Sequence, residues 1–150
     1  MIKTFRVASS APSRFHVLLV EDDDLDVMNV KRAFAKNESD IAIERVPDGR
    51  AGLERLRAEG FDTRNLVILL DLNMPKMNGI EFLRELRADP ELHRLPVIVL
   101  TTSDDERDKV DAYDLNVAGY VLKPVQFSAF VAVMDAVEQY WNLQEFPDPP

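Results

Sequence analysis

The sequence has no cysteine, which excludes disulfides, thiolate nucleophiles, Fe–S clusters and thiolate zinc sites together. Its two histidines, His16 and His93, are too few and too far apart for a His-rich metal centre. Long hydrophobic runs are also missing. The longest are Val17–Val20, Leu66–Leu70 and Val97–Leu100, far short of the roughly 20 residues that a membrane-spanning helix needs. Residues 1–14 carry Lys3 and Arg6 but no continuous apolar segment, so they do not read as a secretory leader. Positive charge is scarce: 18 Lys+Arg stand against 27 Asp+Glu, a formal net charge of −9. Such a surface repels phosphate backbones and anionic lipid, so neither nucleic acid nor membrane is an expected partner. The expected setting is the cytoplasm.

What is present is the material of one globular domain: 150 residues, 46% hydrophobic and 30% charged. The short apolar runs are continuous rather than alternating, as in strands covered on both faces. Two weaker segments, Ile41–Val46 and Val117–Leu122, join them. Between the strands lie stretches with helical spacing. Leu25, Met28, Ala33 and Phe34 mark the first, Ala51, Leu53 and Leu56 the second. Ile80, Phe82, Leu83 and Leu86 mark the third, Val110, Tyr113 and Leu115 the fourth. The last has the widest apolar face: Phe127, Phe130, Val131, Met134, Val137, Tyr140 and Trp141. Five strand–helix pairs in alternation predict a parallel α/β sheet between two helical layers. Residues 1–14 read as a flexible tail, 15–144 as the domain and 145–150 as a proline-rich tail.

In open parallel sheets chemistry gathers beyond the carboxyl ends of the strands. Glu21, Asp22, Asp23 and Asp24 follow the first strand, Asp71 the third, Thr101-Thr102-Ser103 the fourth and Lys123-Pro124 the fifth. Acids at a helix start, such as Asp23 and Asp24, commonly cap the helix. Glu21, Asp22 and Asp71 in one pocket, offset by Lys123 alone, leave an excess of negative charge that a divalent cation would match. All-oxygen donors select a hard ion, Mg²⁺ above others. An aspartate beside Mg²⁺, a lysine and a hydroxyl is equipped to accept a phosphoryl group. Asp71 would attack in line, with Thr101 and Lys123 on the phosphoryl oxygens.

These blocks resemble the signatures of response-regulator receiver domains: Val20-Glu21-Asp22-Asp23, Leu70–Pro75 with Asn78-Gly79, Leu100–Ser103 and Tyr120–Pro124. The likeness covers about residues 15–143. It implies a flavodoxin-like (βα)5 three-layer sandwich with a five-stranded parallel sheet in the order 2-1-3-4-5. It further implies that Asp71 is the phosphoacceptor and that Glu21 and Asp22 are the acidic pair. Asp22, Asp71 and the Asn73 backbone carbonyl would bind Mg²⁺. Thr101 and Tyr120 would switch, and a cis Lys123–Pro124 peptide would aim the lysine inward. Receivers often have Asp-Asp where this chain has Glu21-Asp22, and Glu should still reach the metal through water. Asn73 and Ser103 occupy positions that tune dephosphorylation in the family.

The implied partner is a sensor histidine kinase. The segment from Pro90 to Ser103 looks most like single-domain regulators paired with bacterial phytochrome kinases. No output domain is expected beyond the last helix, and with it output by protein contact or onward phosphotransfer is expected, without catalytic turnover. A homodimer through the last helix and tail is expected because Tyr140, Trp141 and Phe146 leave apolar area at the chain's end. Three rivals fit less well. A haloacid-dehalogenase-type phosphatase needs a second carboxylate where Asn73 stands. A flavodoxin-like cofactor binder needs a Ser/Thr/Gly-rich phosphate loop where four acids stand. A degenerate receiver would have lost Asp71, Thr101 or Lys123.

Overall fold

The computed structural model describes residues 13–148. Its elements alternate strictly: β1 (His16–Val20), α1 (Asp24–Lys36), β2 (Ile43–Val46), α2 (Gly49–Arg57), β3 (Leu66–Leu70), α3 (Gly79–Ala88), β4 (Val97–Thr101), α4 (Glu106–Asp114), β5 (Gly119–Leu122) and α5 (Phe127–Asn142). The strands form one parallel sheet in the order β2-β1-β3-β4-β5, the order that the resemblance implied. Among the described residues no helix is long and apolar enough to cross a membrane.

The continuous apolar runs serve two cores at once, because successive strand side chains point to opposite faces. Leu18, Val20, Leu66, Ile68, Leu70, Val97 and Val99 face Phe82, Leu83 and Leu86 of α3. Val17, Leu19, Val67, Leu69, Ile98 and Leu100 face Val27, Val30 and Phe34 of α1 and Phe130, Met134 and Trp141 of α5. β3 and β4 are buried at every residue, which makes the middle of the sheet a rigid shelf for whatever follows them.

Several expectations are corrected. β2 begins at Ile43 rather than Ile41, and β5 at Gly119 rather than Val117, so both edge strands are shorter than their apolar runs. Leu25 and Met28 are exposed, because α1 turns Val27, Val30, Ala33 and Phe34 to the sheet. Val110 and Tyr113 are exposed as well, and α4 fully buries only Ala112. A helical period fixes the spacing of an apolar face, while tertiary packing fixes its phase.

The ends are held. Residues 1–12 of the expected tail lie outside the described residues. Ser13 and Arg14 are pinned: the Ser13 hydroxyl donates to Glu138 (2.8 Å), and Arg14 binds Asn142 and Glu145. Phe146 packs on Trp141 with ring centroids 5.7 Å apart. Trp141 is therefore covered by its own chain, which removes one premise of the expected dimer.

Candidate functional site

The ends of β1, β3, β4 and β5 converge on one acidic pocket. The β1–α1 loop is shaped by its own side chains. Asp23 caps α1, accepting from the Leu25 and Asp26 backbone N–H groups, as acids at a helix start commonly do. Arg45 of β2 clamps the loop from below: its guanidinium donates to the Glu21 carbonyl (2.8 Å) and the Asp22 carbonyl (2.9 Å) and pairs with Asp24 (2.8 Å). So held, Glu21, Asp22 and Asp71 each offer a carboxylate oxygen, all within 4.8 Å of one another. Glu21 and Asp71 are buried, whereas Asp22 is exposed.

Lys123 meets this cluster from the end of β5. Its ammonium donates to Glu21 Oε1 (2.7 Å) and to Asp26 Oδ2 (2.9 Å). Burial alone would lower its pKa, but the bond with Glu21, the charges of Asp71 and Glu21, and the bond with Asp26 lift it above the usual lysine value. Glu21 is pushed up from 4.5 to about 7, chiefly by burial and also by the Asp71 charge, against the lowering pull of Lys123. The donor set is all oxygen, close-spaced and over-supplied with negative charge, so it fits a hard divalent cation.

The Lys123–Pro124 peptide is trans, correcting the expected cis bond: no cis peptide occurs among the described residues. The Lys123 N–H donates to the Thr101 carbonyl (2.8 Å), extending the β4–β5 ladder, and the long side chain spans the remaining distance itself.

Thr101 is fully buried at the end of β4, its hydroxyl accepting from the Ser103 N–H (3.2 Å). Tyr120 donates its hydroxyl to the Ser103 carbonyl (2.8 Å), and the Ser103 hydroxyl donates to Asp108 (2.5 Å). These bonds tie Thr101, Tyr120 and the start of α4 into one network. Burial raises the Tyr120 pKa, so its hydroxyl stays a donor.

Asn73 is exposed on the β3–α3 loop. That loop closes on Gly79, where a side chain would be impossible without movement: a Cβ would lie 2.7 Å from Leu72 Cα and 2.8 Å from the Asp71 carbonyl. Asn78 and Glu81 form a reciprocal capping box that starts α3 at that point. The structure thus brings Glu21, Asp22, Asp71 and Lys123 together, with Thr101 and Tyr120 linked through the neighbouring β4–α4 loop. Sequence reasoning missed Asp26 and Arg45. Asp26 lies inside the first turn of α1, and its partner Lys123 is 97 positions away, so nothing local marked it. Nothing local marks Arg45, which sits on another strand.

Residues 17–135 match the response regulator receiver domain family. The chain is 36% identical over 133 residues to a probable methanogenesis regulatory protein, FilR2, of Methanothrix harundinacea, covering 87% of this chain and 86% of that one. It is 35% identical over 128 residues to response regulator Rcp1 of Synechocystis, covering 83% and 87%. Among solved structures, the Mn²⁺-bound form of Rcp1 superposes with a TM-score of 0.77 at 33% identity, covering 91% of this chain and 100% of that one. The phosphorylated cyanobacterial phytochrome response regulator RcpA gives a TM-score of 0.77 at 34% identity, covering 93% and 99%.

Proposed function

The chain belongs to the response regulator receiver domain family, and from that premise we propose that Asp71 is its phosphoacceptor, charged by a sensor histidine kinase. The observation that carries this reading is the carboxylate cluster of Glu21, Asp22 and Asp71 with Lys123 bonded into its edge. An Asp71 carboxylate oxygen attacks phosphorus as the phosphorus–nitrogen bond of the donor phosphohistidine breaks. The bond pair stays on the ring nitrogen, and the imidazole leaves neutral when its other nitrogen carries a proton. Lys123 and the Thr101 hydroxyl then receive the phosphoryl oxygens. Thr101 gives up its bond to the Ser103 turn, and Tyr120 follows by leaving the Ser103 carbonyl. Both groups belong to one hydrogen-bond network, which supports the pairing of the two moves.

Mg²⁺ would be held by Glu21, in part through water, by Asp22 and Asp71, and by the Asn73 backbone carbonyl. When bound it supplies positive charge facing the phosphoryl oxygens. The protein acts stoichiometrically, assisting its own phosphorylation and dephosphorylation rather than turning over a substrate. Output is by protein contact, in keeping with the net charge of −9, and the setting is the cytoplasm. Pairing with a bacterial phytochrome kinase is supported by the likeness to Rcp1, RcpA and two bacteriophytochrome response regulators. A second copy of the chain is a further partner, docking on α5 through Tyr140 and on the adjoining Leu143, both exposed.

The test is incubation with acetyl phosphate and Mg²⁺, followed by intact mass. The wild-type chain gains one phosphoryl group and Asp71→Asn gains none; normal labelling of Asp71→Asn overturns the assignment. Lys123→Ala retains slow labelling but loses the conformational response.

A further inference from the structure

Asp26 belongs to none of the motifs of the phosphoacceptor pocket, yet it holds the pocket's lysine. Lys123 Nζ lies 2.9 Å from Asp26 Oδ2 and 2.7 Å from Glu21 Oε1, and among the described residues no hydrogen bond joins it to Asp71. Asp26 sits in the first turn of α1, where its backbone N–H is drawn to the capping Asp23, so its carboxylate comes from a fixed platform. Asp26 and Lys123 also share the wall of a groove of about 200 Å³ between α1 and the start of α5. The ammonium therefore stands at the border between the acceptor pocket and this groove, drawn toward the groove by Asp26.

We propose that Asp26 is a positioning residue that parks Lys123 on the α1 side of the pocket in the unphosphorylated protein, and that this bond breaks when Lys123 engages the phosphoryl group. The proposal rests on the phosphoacceptor reading of Asp71. An ammonium has three donors, and two are committed to Glu21 and Asp26. Glu21 is buried, whereas the Asp26 side chain is 34% exposed, so the Asp26 bond is the one water weakens and a phosphoryl oxygen displaces. Asp26 thereby holds the resting population away from the receptive arrangement by the strength of one partly exposed ion pair.

The test measures labelling rates with acetyl phosphate and Mg²⁺ by intact mass in wild type, Asp26→Asn, Asp26→Glu, Lys123→Ala and the Asp26→Asn, Lys123→Ala double variant. Asp26→Asn is expected to label about two- to fivefold faster than wild type, the range a partly exposed ion pair allows. Asp26→Glu, which restores the carboxylate, is expected to return toward the wild-type rate. Losing a negative charge also eases approach of the anionic donor, but that contribution survives in the absence of Lys123. The gain from Asp26→Asn must therefore disappear in the Lys123→Ala background. An unchanged or slower rate for Asp26→Asn, or the same gain with and without Lys123, overturns the proposal. If Lys123→Ala takes up no label, a crystal structure of Asp26→Asn decides: Lys123 bonded to Asp71 supports the proposal, and Lys123 still bonded to Glu21 alone overturns it. A wild-type chain that takes up no label at all overturns instead the phosphoacceptor reading on which the proposal stands.

Discussion

Glu21 is pulled in opposite directions: burial favours its neutral acid, while an ammonium 2.7 Å away favours the carboxylate. Burial wins, setting the carboxyl at about 7 against an ordinary value of 4.5. A raised carboxyl favours the protonated folded protein, so its stabilising contribution is complete below about pH 4.5 and fades as pH rises through about 7. In metal-free buffer, the unfolding free energy from urea titrations should therefore fall between pH 5 and pH 8, by about 1–3 kcal/mol from this group. Glu21→Gln should remove most of that slope. Added Mg²⁺ should reverse the trend above neutrality, because cation binding requires the ionised carboxylate and releases its proton. A wild-type slope equal to that of Glu21→Gln would show that Glu21 is already ionised at pH 5.

Among the elements, α3 shows how a helix can anchor structure beyond its own apolar face. Arg87, in its last turn, donates to the carbonyls of His93, Leu95, Leu115 and Asn116, tying the entry to β4 and the end of α4 to one side chain. Burial lowers its pKa, yet a guanidinium still holds its charge at neutral pH. Arg87→Ala should cost about 2–4 kcal/mol in urea unfolding, with Arg87→Lys recovering less than half, since an ammonium cannot reproduce the planar fork. This hub was not legible in the sequence, where Arg87 reads as an ordinary basic residue near a helix end. The strands were legible because residues buried on both faces leave unbroken runs such as Leu66–Leu70. The inward face of α1 was legible at Ala33 and Phe34 but not in its first turns, where Leu25 and Met28 share the helical period of Val27 and Val30 but not their phase. Asp71, Asp22 and Lys123 could be read from strand-end positions. Arg45 and Asp26 act on residues 24 and 97 positions away respectively, and only the folded sheet brings those pairs together.

For the whole molecule, α5 and the segment to Phe146 form a closure over the end of the sheet. Phe146 lies on Trp141, and Glu145 pairs with Arg14 at 3.2 Å. Truncation after Leu143 should therefore destabilise the folded chain by about 1–2 kcal/mol through lost aromatic cover, and should shift Trp141 emission to the red. If the proposed dimer is built on the exposed Tyr140 and Leu143, it should survive that truncation, and Leu143→Glu should dissociate it in light scattering at micromolar concentration. Loss of the dimer on truncation alone would return the tail to the interface. Because all five strands run parallel, Ser13 and Arg14 lie against the end of α5 at the pole of the sheet opposite Asp71. A five-residue strand puts about 16 Å between the two poles. In a chain trimmed to the described residues 13–148, a short linker could therefore join Asp148 to Ser13, and the ring could be reopened at the exposed turn around Gly60, where nothing lies within 4 Å of an added Cβ. Such a circular permutant would start and finish beyond α2 while keeping every strand end that builds the acidic pocket, and it would carry a fused reporter clear of the pole that holds Asp71.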